Sequence, residues 1–207
     1  MLMISLDPSP NGWYSKRMKS ILFFDDFLIH RQDSIKRSFH TPKWLDEFSY
    51  SDPKSPYGMG YASVLPAPDG GYYLFYTVLL RKDNIAMESP VGVCMARSDD
   101  GLTWEPVDTG KSLVPGYNNV ILAGNPAPGG SCVYYDADDP DPNRRYKVTI
   151  SPVGRIETGI AIIPSIVQCS PDGIEWSPCG EGEFLPYHSD TYNSLLRNPV
   201  TGRYQIT

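Results

Sequence analysis

The chain contains one hairpin-like pattern twice. Residues 92–104 read GVCMARSDDGLTW and residues 167–176 read VQCSPDGIEW, so each copy has an apolar strand, a cysteine, then Ser, Asp-Gly, two residues and Trp. An Asp-Gly pair between strand-like segments predicts a tight turn, because Gly readily adopts the positive φ that such a turn needs. Measured from Trp104 to Trp176, the repeat is 72 residues long. A repeat of this length predicts a fold built from similar units.

Strand signals recur around each copy in the same order. The segments are YASVL at 61–65, YYLFYTVLL at 72–80 and VGVCMAR at 91–97, then SCVYYD at 131–136 and YKVTI at 146–150, and finally TYNSLL at 191–196 with Tyr204 to follow. Aromatic and β-branched residues at this density favour strands, and helical periodicity is nearly absent.

Four short antiparallel strands per unit are typical of a β-propeller blade. The sequence therefore predicts an all-β protein with an irregular segment at 1–20 and a partial propeller at 21–207, whose blades span about 57–110, 118–180 and 187–207. Because propellers have four or more blades, these two and a half blades predict a piece truncated at its C-terminus. An unusual two-sheet β protein that uses similar hairpins is the alternative.

Composition narrows the classes of partner. A formal net charge of -6 argues against a nucleic-acid partner. Four cysteines without CxxC spacing or a nearby His cluster predict no metal site, and no cofactor is expected. Cys94 and Cys169 lie in apolar strands and are expected to occupy matching places of the repeat, which predicts buried free thiols.

The sequence predicts no membrane segment, because no apolar run approaches the roughly 18–20 residues of a membrane helix. No signal peptide is visible near the N-terminus, so a cytoplasmic protein is expected, with export left open. No oligomeric state is predicted.

Six motifs follow one another along residues 21–207: LFFDDFLI, HTPKW, YASVLPAPDGGYYLFYT, ARSDDGLTW, YYDADDPDPNRRYKV and SDTYNSLLRNPVTGRY. Their order and spacing resemble the glycosyl-hydrolase-like five-bladed propellers related to glycoside hydrolase families 32 and 43. The Ser-x-Asp-Gly-x-x-Trp turn also resembles the Asp-box of sialidases, but it is one residue shorter between Asp and Gly. The closer resemblance implies a funnel floored by the innermost strand of each blade, where three carboxylates act on a glycosidic bond.

By this resemblance, the candidate catalytic residues are Asp25, Asp26 and Asp190. Successive strand residues face opposite sides, so one member of the Asp25–Asp26 pair faces inward if its strand is central. A salt-bridged edge strand is the alternative for that pair. Asp190 precedes the third inner strand, where it either reaches the funnel floor or bonds local backbone amides.

Candidate carbohydrate-binding residues are His40, Trp44, Tyr61 and Asn193. The two aromatic residues offer stacking platforms for a sugar ring, with core packing as the alternative. The first inner strand, YASVL, carries no carboxylate, whereas families 32 and 43 place a catalytic Asp there. We therefore expect a glycosidase-like protein that is inactive or incomplete as this chain, or alternatively a non-catalytic carbohydrate-binding or scaffold propeller.

The remaining acidic turns have structural interpretations. Asp100 and Asp172 are expected to bond the backbone amides of their own turns. Asp136 and the acidic turn after it, which ends in Arg144 and Arg145, are expected to be solvated.

Overall fold

The computed structural model describes residues 3–6, 29–33, 36–43, 50–55, 58–79, 91–123, 127–153, 165–180 and 192–206. The chain divides into two compact units, Met1–Leu45 and Asp46–Thr207. The sequence predicted a boundary after residue 20 instead. In the first unit, β1 (Met3–Leu6) pairs antiparallel with β2 (Ile29–Asp33), so residues 3–6 are not irregular.

The second unit begins with an antiparallel sheet of five strands, here called the first sheet. Its strands are β3 (Met59–Pro66), β4 (Tyr72–Leu79), β5 (Val91–Ser98), β6 (Glu105–Pro106) and β7 (Val120–Leu122). Strands β3 to β6 follow one another as a meander, and β7 pairs with β5 farther along the same edge as β6. Strand β7 was not predicted.

The second sheet is a four-stranded antiparallel meander, followed by a pair of strands. The meander contains β8 (Ala127–Tyr135), β9 (Tyr146–Val153), β10 (Ile166–Ser170) and β11 (Ser177–Pro178), and the pair contains β12 (Leu195–Arg197) and β13 (Tyr204–Ile206). A 3₁₀ helix at Pro142–Arg144 lies between β8 and β9. The predicted all-β class with antiparallel sheets is confirmed for the described residues.

No helix within the ranges described above is long and apolar enough to cross a membrane.

The strand register reproduces the 72-residue repeat. Arg97 pairs with Glu105 between β5 and β6, and Cys169 pairs with Ser177 between β10 and β11. Cys169 is therefore the counterpart of Arg97, which means that aligning it with Cys94 was wrong.

The cysteines also differ from the prediction. Cys94 is a buried free thiol, as expected, and Cys132 is another. Cys169, in contrast, forms a disulfide with Cys179, with their Cα atoms 5.2 Å apart. The physical reason is that the two-residue strand β11, too short to recognise from its sequence, brings Cys179 back beside β10.

The two Asp-Gly turns have the structural role that was predicted. Ser98 Oγ accepts from the Gly101 N–H at 2.8 Å, and Ser170 Oγ accepts from the Gly173 N–H at 2.8 Å. The Asp100 carboxylate accepts two further backbone N–H groups of its turn, which lower its pKa. These bonds close each turn and direct the following Trp back towards the sheet.

Two apolar clusters form the core of the second unit. One face of the first sheet carries Leu74, Tyr76 and Val78 of β4 together with Trp104. The other face packs against the second sheet, in a cluster that contains Phe75, Val93, Met95, Ile121, Val133, Tyr146, Val148 and Ile150. Trp176 lies against this second cluster. The two sheets are thus stacked face to face, with β3 of one sheet in contact with β8 of the other.

Candidate functional site

The predicted site residues fall into three groups. Asp25, Asp26, Asp190 and Trp44 lie outside the described residues. His40 is exposed and belongs to the first compact unit. Tyr61 and Asn193 belong to the second unit, where the structure brings their segments together.

Strand β3 is irregular at Tyr61. The register with β4 shifts between Gly60 and Ser63, which makes Tyr61 and Ala62 the residues of a β-bulge. Tyr61 has φ 48° and is the single non-glycine residue with positive φ among those described. Its side chain nevertheless stays at the surface, with 42% of its area exposed.

Strand β8 has the same bulge at the corresponding place. Its register with β9 shifts between Gly129 and Cys132, and the residue that matches Tyr61 is Gly130, with φ 54°. A left-handed backbone costs an L-residue about 1–2 kcal/mol, and Gly avoids this cost. A tyrosine in a position where the second sheet uses glycine is a local strain, and such strain often marks a functional residue.

Tyr192 is the counterpart of Tyr61 in the third copy of the repeat, which contains β12 and β13. Tyr61 lies five residues before Pro66, which pairs with Tyr72, and Tyr192 lies five residues before Arg197, which pairs with Tyr204. The rings of Tyr61 and Tyr192 are stacked, with centroids 6.1 Å apart and planes inclined by 8°. The stacked rings therefore bring β3 of the first sheet into contact with the segment before β12.

Hydrogen bonds through its hydroxyl group hold the Tyr192 ring in place. The Tyr192 hydroxyl lies 3.2 Å from Ser63 Oγ, which also accepts a 3.0 Å hydrogen bond from the Val133 N–H. Burial and the neighbouring Cys132 thiol raise the pKa of Tyr192, so its hydroxyl stays protonated at neutral pH. The Tyr192 ring is therefore held by its hydroxyl contact with Ser63, and the Tyr61 ring stacked on it is exposed to solvent.

Asn193 binds strand β9 rather than facing solvent. Its side chain is buried, Nδ2 donates to Ser151 Oγ at 2.8 Å, and its carbonyl accepts from Thr149 Oγ1 at 2.7 Å. This residue was predicted to bind substrate. In the structure it fixes the start of β12 on the second sheet.

The prediction of a solvated acidic turn was wrong for Asp136 and Asp139, whereas Asp138 and Arg144 are exposed as expected. Asp136 and Asp139 are both buried. The Tyr204 hydroxyl donates to Asp136 Oδ2 at 2.5 Å and lies 3.2 Å from Asp139 Oδ2. Lys147 Nζ donates to the same Asp139 oxygen at 2.7 Å. The physical reason is that Tyr204 of β13 covers a turn that sequence alone shows only as charged.

Lys147 is buried among these groups. Its ammonium also donates to the Arg144 carbonyl, and it lies 4.8 Å from the centroid of the Tyr204 ring. Arg197 adds a second cation 3.6 Å from Asp136. Burial alone raises the pKa of Asp139, but the hydrogen bond from Lys147 and other donors outweigh it, so the pKa is lowered.

A further buried carboxylate, Asp52, is fully engaged. It accepts from the Tyr76 hydroxyl at 2.5 Å, from Asn119 Nδ2 at 2.9 Å and from the Lys54 N–H at 2.8 Å. Burial, together with its hydrogen bonds to Asp52 and Tyr50, raises the pKa of Tyr76, which therefore remains a donor. These bonds tie the loop before β3 to the face of the first sheet.

Strands β3, β8 and β12 contain no Asp or Glu, so they do not supply the two carboxyl groups of glycoside hydrolysis. No group of three or more metal-ligating side chains occurs among the residues in the described ranges. What Tyr61 of β3 provides is an exposed aromatic ring, and Tyr192 beneath it is held by a hydroxyl hydrogen bond.

Comparisons of this chain with protein-family models, with curated proteins and with solved structures give no match.

Proposed function

We propose that residues 46–207 are part of a carbohydrate-binding β-propeller of the glycosidase-like, five-bladed type, in which Tyr61 stacks against a sugar ring. The observation that carries the proposal is the exposed Tyr61 ring, held at a strained bulge where the neighbouring sheet has Gly130. One face of the Tyr61 ring is stacked on Tyr192, and the other apolar face suits the C–H face of a pyranose or furanose. Two stacked antiparallel sheets related by a 72-residue repeat support the propeller part of the proposal.

Binding is the better-supported function for the chain as given, because the described inner strands carry no carboxylate. Hydrolysis depends on Asp25, Asp26 and Asp190 acting as the resemblance implies. We expect no measurable hydrolysis of aryl glycosides by this chain. Robust turnover that disappears in Asp25→Asn, Asp26→Asn or Asp190→Asn would establish a glycosidase instead.

Calorimetric titration with arabino-, xylo- and fructo-oligosaccharides tests the binding proposal. Tyr61→Gly removes the ring and suits the left-handed backbone, so we expect it to weaken binding about tenfold, or about 1.4 kcal/mol, without unfolding the protein. Tyr72→Ala is the matched control, because it removes another exposed tyrosine of the first sheet outside the bulge. Equal affinity of the wild type and Tyr61→Gly, or no binding at all, would favour the scaffold alternative.

The disulfide bears on the compartment. Disulfides persist in oxidising environments and are rare in the cytosol, so the bond between Cys169 and Cys179 favours maturation outside the cytoplasm over the location expected from the sequence. Alkylation of the denatured protein from its native host, with and without prior reduction, tests this. Cys169 and Cys179 should react with the reagent only after reduction.

A further inference from the structure

The segment that contains β12 and β13 is attached to the second sheet at two separated places. We call residues 192–206 the C-terminal hairpin. At one end, Asn193 is bonded to Ser151 and Thr149 of β9. At the other end, Tyr204 is bonded to Asp136 and Asp139 in the turn between β8 and β9. The stacked pair of Tyr61 and Tyr192 lies beside the first attachment.

The C-terminal hairpin needs these attachments. Its strands β12 and β13 have three residues each, and an isolated two-stranded hairpin is at best marginally stable in water. Leu195 is the buried apolar side chain that β12 contributes. Polar anchors therefore carry much of the docking.

The far anchor brings buried charges of opposite sign together. Lys147 is only 2% exposed, and the Tyr204 ring covers it. Lys147 forms an ion pair with Asp139, whereas Asp136 accepts from the Tyr204 hydroxyl and lies 3.6 Å from Arg197 of β12. Moving Tyr204 away from the turn would leave the buried Asp136 carboxylate without its hydroxyl donor, and an unpaired buried polar group is costly.

We propose that Tyr204, through the cluster of Asp136, Asp139 and Lys147, is a positioning residue that holds Tyr192 under Tyr61 and so sets the ligand affinity of the site. The affinity part rests on the proposed carbohydrate function, whereas the positioning part does not. If the hairpin is docked only part of the time, the measured dissociation constant rises in inverse proportion to the docked fraction.

Docking is measured first, without ligand. Trypsin cleavage after Arg197, followed by mass spectrometry, reports opening of the hairpin, because proteolysis tracks the open population when closing is fast. Tyr204→Phe loses a hydrogen bond to a carboxylate and is expected to speed cleavage about tenfold; Tyr204→Ala also uncovers Lys147 and has a larger effect. Tyr72→Phe, at the equivalent strand position of the first sheet, leaves the rate unchanged.

The effect on the site is measured in the same variants. Ring-proton NMR signals of Tyr61 and Tyr192 are expected to move towards free-tyrosine positions in Tyr204→Ala, and oligosaccharide affinity to fall in parallel. If no oligosaccharide binds the wild type, the proposed function fails, and the ring signals alone decide the positioning inference. The positioning inference would be overturned if Tyr204→Ala left the cleavage rate unchanged, or if it sped cleavage without moving the ring signals of Tyr61 and Tyr192.

Discussion

The left-handed backbone at Tyr61 predicts that the usual order of Ala and Gly variants is reversed there. In an ordinary strand, Gly is less stable than Ala by about 0.5–1 kcal/mol, because the unfolded chain has more freedom to lose. At φ 48° the Ala variant keeps a Cβ atom that strains the left-handed backbone. The Gly variant has no Cβ and avoids this strain. Both variants remove the same ring, so the ring's contacts cancel in the comparison.

The size of the reversal follows from two opposing effects. The left-handed conformation costs an L-residue about 1–2 kcal/mol, and the extra chain entropy of Gly offsets about 0.5–1 kcal/mol of that difference. Tyr61→Gly should therefore be more stable than Tyr61→Ala by about 0.5–1 kcal/mol. For a unit of this size, such a difference raises the unfolding temperature by about 1–4 °C.

Urea unfolding of four variants checks this, using the same Ala and Gly pair at Tyr72 as the control. Tyr72 begins β4 and is 41% exposed, close to the exposure of Tyr61, and its φ is not positive. We expect Gly to be the more stable variant at 61 and Ala to be the more stable variant at 72. The strain argument is refuted if Ala is equal to or more stable than Gly at both positions.

Three other outcomes are expected. Replacing Cys169 and Cys179 together with Ser should lower the free energy of unfolding by about 2–3 kcal/mol, because the 10-residue separation closes a short loop; an unchanged denaturation midpoint would contradict this. Gly173→Ala should lower the free energy of unfolding by about 1 kcal/mol more than Gly101→Ala. Both glycines have positive φ, but a Cβ at 173 would lie 3.1 Å from the Phe75 ring of β4, whereas one at 101 would lie 3.5 Å from its nearest neighbour. Equal denaturation midpoints would contradict this. The lowered pKa of Asp139 stabilises the fold above about pH 4, and this contribution is lost as the pH falls through the folded-state pKa. Asp139→Asn should flatten that acid dependence in a pH series of unfolding curves.

Local patterns were sufficient for the long strands and for the turns between them. Strands β4 and β5 and both Asp-Gly turns follow from aromatic and β-branched content and from turn chemistry, which act over a few residues. Strands β7 and β11 did not follow, because segments of two or three residues have no periodicity of their own. They exist because β5 and β10 offer them an open edge.

The site divides in the same way. An aromatic residue at 61 next to an inner strand could be proposed from sequence. Its positive φ and its bulge are set by pairing with β4, and its stacking on Tyr192 is set by the C-terminal hairpin. Nothing in the acidic run after Tyr135 distinguishes a solvated turn from one covered by Tyr204, since the covering group lies 65 residues from Asp139.

By itself, the sequence determined that this protein is all-β, antiparallel and built from a hairpin repeated every 72 residues. These properties depend on backbone preferences and side-chain alternation within short segments. Strand β9 shows what the tertiary structure decided. Lys147, Thr149 and Ser151 alternate with apolar residues, a pattern typical of a face open to water, yet all three are buried. The C-terminal hairpin covers that face, and only the three-dimensional packing brings its Tyr204 and Asn193 to the polar groups that they satisfy.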